Sequence, residues 1–157
     1  MLDELVVDAI DSLQEILKIF TDIINGLTPV VETTVNSLEY AEKIESDLGR
    51  LETLSTSLLD ITKEIASSSS QKLQIAEATS LKDLYGLISD VLTAYTLPID
   101  IELLKLNSKM EESSAENERL KQAIEKLKVL LSEVTVRMKE GYSLLQAIEP
   151  AEDELLS

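Results

Sequence analysis

Glu4, Asp8, Asp11 and Glu15 follow one another by four, three and four positions near the start of the chain. On a helix that spacing stacks the four carboxylates in one column. Grouped carboxylates can bind a metal or share protons when neighbouring groups complete the site. The sequence offers no such completion. Histidine and cysteine are both absent, which removes imidazole bases, triads and thiolate ligands, and the inward Glu-x-x-His motifs of di-iron bundles cannot be assembled. No glycine-rich loop is present to hold phosphates. The expectation is a protein that is not an enzyme, with no catalytic residues, metal or cofactor. The column then has two readings. It is the solvated outer face of an amphipathic helix, or, in several copies around an axis, it forms rings of carboxylates that attract cations and repel anions.

The elements that carry such a column follow from apolar spacing. Val6, Ile10, Leu13, Leu17, Phe20 and Ile24 recur by four and three, which predicts a helix from about Leu2 to Asn25. The stretch "NGLTPVVE" then reads as a stop and a start: Asn25 and Gly26 tolerate the left-handed angles that end a helix, Thr28 suits an N-cap, and Pro29 suits a first helical position. So short a joint predicts an antiparallel second helix with Val31, Val35, Leu38, Ala41 and Leu48 inside. Gly49 and Arg50 mark the next break, before a third helix with Leu51, Leu54, Leu58, Ile61 and Ile65 inside. The serine run 67–70 reads as a corner, a mobile loop or a plain linker. A fourth stripe is Leu81, Leu84, Ile88, Val91 and Tyr95, starting at the Ser80/Asp83 capping pair or earlier, near Gln71. Pro98 ends or kinks it.

Beyond Pro98, "NSKMEESSAENE" separates a short helix containing Leu103, Leu106 and Met110 from a long one beginning near Ser114. Leu120, Ile124, Leu127, Leu131, Val134 and Met138 form a heptad-like seam along that long helix, too short for a free coiled coil and suited to lying across a bundle. It is predicted to end near Gly141 or Ile148. The expected fold is therefore all-α: an antiparallel four-helix bundle over residues 1–98, a short helix and a long brace helix over 99–148, and an acidic tail over 149–157.

The 157 residues hold 14 basic and 30 acidic side chains, a formal charge of -16. Such a surface repels phosphate backbones and anionic headgroups, so nucleic acid is not an expected partner. Acids interrupt "MLDELVVDAIDSL" too often for a signal peptide, and no apolar run reaches the roughly 18 residues of a lone membrane span. A cytoplasmic protein is expected. Basic residues come late, at Arg119, Lys121, Lys126, Lys128, Arg137 and Lys139, whereas residues 1–50 hold Lys18, Lys43 and Arg50 against 11 acids. Either the two ends attract each other or the late bases pair locally with acids on their own helix.

Three segments, "ILKIFTDIINGLTPVVE", "LGRLETLSTSLLDITKEI" and "SSQKLQIAEATSLKDLYGLISDVL", together resemble the HeLo-type bundles. These include the coiled-coil domain of plant powdery-mildew-resistance proteins and helper immune receptors, and the N-terminal bundle of mixed-lineage-kinase-like pseudokinases. The similarity covers residues 10–98 by pattern, and residues 114–146 by layout resemble the brace of the pseudokinases. The resemblance implies an immune or cell-death effector domain that oligomerises on activation, moves from cytoplasm to membrane and permeabilises it with its first helix. Val6, Val7, Ile10, Leu13, Leu17 and Phe20 would then meet lipid or neighbouring protomers, with Glu4, Asp8, Asp11 and Glu15 facing a water-filled pore. The alternative is a soluble adaptor or scaffold whose bundle surface binds partner helices.

Overall fold

The computed structural model describes residues 2–33, 37–67, 75–109 and 115–146, and all of them are helical apart from a turn at Tyr95. The helices are α1 (Leu2–Thr33), α2 (Ser37–Ser67), α3 (Ile75–Ala94), α4 (Thr96–Lys109) and α5 (Ala115–Gln146). The protein is an all-α helical bundle. One apolar core draws on all five helices. Both α1 and α5 pack against α2, α3 and α4, while among the described residues they scarcely touch each other.

Cross-helix bonds fix how the helices run. Arg50 of α2 bonds Glu15 of α1, and the Tyr40 hydroxyl donates to the Ile23 carbonyl, so α2 runs back along α1. On the other side Thr21 meets Tyr95 at 2.8 Å and Thr28 meets Glu102 at 3.1 Å, so α1 and the α3–α4 pair rise together.

The predicted joint at residues 25–29 does not exist. α1 continues through it to Thr33 with Pro29 inside the helix. Val6, Ala9, Leu13, Ile16, Phe20, Ile23, Leu27 and Val31 are all buried, in steps of three and four that run straight through the supposed turn. An interior proline costs about 3 kcal/mol or more, and burying Leu27 and Val31 at about 1.5–3 kcal/mol each offsets it. The residues that imitated a joint have packing duties instead. A Cβ on Gly26 would lie 2.8 Å from the Tyr40 hydroxyl, so the glycine makes room for that ring. Thr28 donates to Glu102 rather than capping a helix.

The predicted break at Gly49 and Arg50 is also absent, since α2 is continuous from Ser37 to Ser67. Its buried positions include Ala41, Ile44, Leu51, Ser55, Leu58, Thr62 and Ile65. Ser55 and Thr62 take core positions within that unbroken inner face. Both are satisfied inside: Thr62 bonds the Leu58 carbonyl and meets the Tyr85 hydroxyl, and Ser55 receives Arg137 at 2.9 Å. A glycine within a helix costs about 1 kcal/mol, too little to stop one held by a full inner face.

α3 is described from Ile75, ahead of the Ser80/Asp83 pair, to Ala94, and Gln71 lies outside the described residues. α4 starts at Thr96, which leaves Pro98 in its first turn, where the missing amide has no helical partner to lose. The seam Leu120, Ile124, Leu127, Leu131, Val134 and Met138 is buried throughout α5. That helix passes Gly141, where a Cβ would meet the Tyr85 ring at 2.5 Å, and reaches Gln146. The serines 68–70, Val35, Met110, Ser114 and the acidic tail lie outside the described residues.

Candidate functional site: the outer faces of α1 and α4

The inner stripe of α1 is turned by about one residue from the predicted one. Val6, Leu13 and Phe20 are buried, Ile10 and Leu17 are half-buried shoulders, and Val7 is 56% exposed. Ala9, Ile16 and Ile23 take the central places. A wide apolar arc contains two overlapping stripes, and the centre of the core selects between them.

Glu4, Asp8 and Asp11 are exposed on the outer face, and half-buried Glu15 is held by Arg50. Among the described residues no three of His, Cys, Asp or Glu are placed to hold a metal ion. Nor is any helix among them long and apolar enough to cross a membrane.

The late basic residues bond to α2 and α4. Arg119 reaches Glu45 at 2.8 Å and Glu42 at 3.5 Å, Arg137 reaches Glu52 at 3.2 Å, and Lys128 reaches Asp100 at 2.6 Å. The Arg119 hydrogen bond holds the Glu45 carboxyl below its ordinary range, with its charge adding in the same direction. Lys121 instead pairs with Glu125 on its own helix, at 4.0 Å. Both expected patterns are therefore present, although α1 itself is tied through Arg50, Tyr40, Tyr95 and Glu102.

Two features of α4 escaped the sequence reading. Glu102 is 4% exposed, between α1 and α4. Its Oε1 accepts from Thr28 at 3.1 Å and from Lys105 at 3.2 Å, and its Oε2 is buried with no hydrogen-bond partner. The signal was its place in the inward series Ile99, Glu102, Leu106, where a carboxylate replaces an expected apolar residue. The second feature is the opposite face. Leu97, Ile101 and Leu104 are 66%, 41% and 69% exposed, four and three positions apart. α4 thus carries apolar side chains on both faces with the Glu102 carboxyl among the inner ones, whereas α1 is apolar on its inner side and acidic on its outer side.

No protein-family model, curated protein or solved structure matches this chain.

Proposed function

We propose that this chain is a helical-bundle interaction module, an adaptor or scaffold that binds a partner helix on the outer face of α4. The observation that carries this reading is the row Leu97, Ile101 and Leu104, large apolar side chains in helical register that the fold leaves in water. Isolated exposed leucines are ordinary, whereas a row at helix spacing is the form that helix-to-helix recognition uses. The test is a selection among displayed amphipathic peptides, followed by NMR mapping. Peptides that shift α4 resonances and lose affinity on Ile101→Lys support the reading, and peptides that bind elsewhere, or none at all, contradict it.

One observation favours the second reading, the HeLo-like effector: α1 carries a complete apolar stripe on one side and the column Glu4, Asp8, Asp11 on the other. In that reading the chain is an antiparallel bundle braced by α5, resting in the cytoplasm. Triggered release of α1 lets it oligomerise and line a pore with lipid outside and acids inside. Because the chain has no native cysteine, Glu15→Cys with Arg50→Cys can be bridged by a disulfide-containing bis-maleimide, which spans the Arg50–Glu15 contact and locks α1 to α2. Vesicle leakage that this bridge abolishes and reduction restores would support the reading. Leakage indifferent to the lock, or no leakage after acid or mild heating, would end it.

A further inference from the structure

We infer that the occupant of the α4 face is the α4 of a second copy of this chain, lying alongside it and pointing in the same direction. The inference rests on the interaction-module reading and commits it to one partner. Leu97, Ile101 and Leu104 follow the d, a, d order of a heptad, and leucine at d with β-branched isoleucine at a is the combination that favours two parallel strands.

Charge selects the same alignment. In this register Asp100 takes a g position and Lys105 the e position of the following heptad, the two places that meet across a parallel pair. Their side chains are 39% and 43% exposed, at the rim of the stripe. Each is already held on its own chain, Asp100 by Lys128 and Lys105 by Glu102, and both retain further oxygens or N–H groups for a neighbour. A two-fold axis makes the Asp100 to Lys105 contact twice. The antiparallel alternative, with Leu97 opposite Leu104, sets Asp100 against the other Asp100, a like-charge approach.

The stripe is also a place where a chain of charge -16 can meet its copy. Between Thr96 and Ser108 the charges away from the core are one acid, Asp100, and one base, Lys105. Towards the N-terminus α4 starts at Thr96 after the turn at Tyr95, and this ends the seam. Three layers bury less than the roughly 1,200 Å² of a stable interface, so the dimer is weak and forms where copies are concentrated.

Sedimentation equilibrium up to millimolar protein should show the mass rising towards a dimer. Ile101→Lys combined with Leu104→Lys should weaken association roughly tenfold or more, leaving helicity and Tm unchanged because both side chains are exposed. With no native cysteine, Leu104→Cys should oxidise to a same-site dimer. Mixed Leu97→Cys and Leu104→Cys chains should join like to like. A monomer at every concentration, a dimer that survives the lysine variant, or a dominant 97-to-104 cross-link overturns the inference. So does stripe-dependent flotation of a monomer on neutral phosphatidylcholine vesicles, which would give the face to a membrane. A monomer that still captures selected peptides on α4 defeats this inference and spares the interaction-module reading, whereas loss of both defeats both.

Discussion

α1 and α4 lie against each other and divide their side chains differently. α1 sends eight core residues inward, from Val6 to Val31, and turns Glu4, Asp8 and Asp11 to solvent. α4 places a carboxylate inside, at Glu102, and leucines outside, at Leu97 and Leu104. A helix whose pattern is fully used by its own core has stability as its evident task. One that leaves apolar surface in water and buries a carboxyl oxygen without a hydrogen-bond partner breaks both rules of economical packing, and such breaks gather where a second molecule takes part.

Several substitutions would break or sharpen that contrast. Phe20→Ala should destabilise the protein by about 3–5 kcal/mol in urea denaturation, and Leu104→Ala by less than about 0.5 kcal/mol. Similar losses at both sites would mean that α4 is covered in solution. The glycines divide in the same way. Gly141→Ala drives a methyl into the Tyr85 ring and should cost about 1–3 kcal/mol. Gly49→Ala meets nothing within 4 Å and should stabilise α2 by about 0.4–1 kcal/mol. A loss at Gly49 would instead restore the predicted break.

Burial pushes the Tyr85 hydroxyl up to about 12, although its bond to Thr62 pulls the other way. A raised folded pKa means the folded state holds the proton more tightly. Stability should therefore be intact below the ordinary value of 10 and decline as pH rises towards 12. Tyr40 is raised by burial and by the Asp47 charge and adds to the same slope. Alkaline urea titrations of the parent and of Tyr85→Phe should show the variant with the shallower decline, and equal slopes would place the Tyr85 ring in solvent. The smallest effect is at the surface: in an NMR titration Glu45 should protonate below 4.5, and Arg119→Gln should move its midpoint upward.

The chain showed its helical class and some of its directions. The inward seam of α5 was legible from Leu120 to Met138 because every position is apolar and no cap signal interrupts it. α1 was legible as far as Ile24. There a genuine set of local signals, Asn25, Gly26, Thr28 and Pro29, argued for a turn that tertiary burial of Leu27 and Val31 overrode. α2 was cut in two because Gly49 and Arg50 read as a helix end, whereas the glycine faces open space within an unbroken helix. The α4 face was missed for a different reason. Spacing alone does not say which side of an evenly greasy helix faces the core, and Leu103 and Leu106 were as good a stripe as Leu97 and Leu104.

The most direct measurement is methyl NMR of the wild-type chain from tens of micromolar to millimolar concentration. Shifts that grow at Leu97, Ile101 and Leu104, with Leu13, Ile16 and Ile23 unmoved, are the expected result. Spectra that do not change with concentration, or change first along α1, would contradict the assignment of recognition to α4.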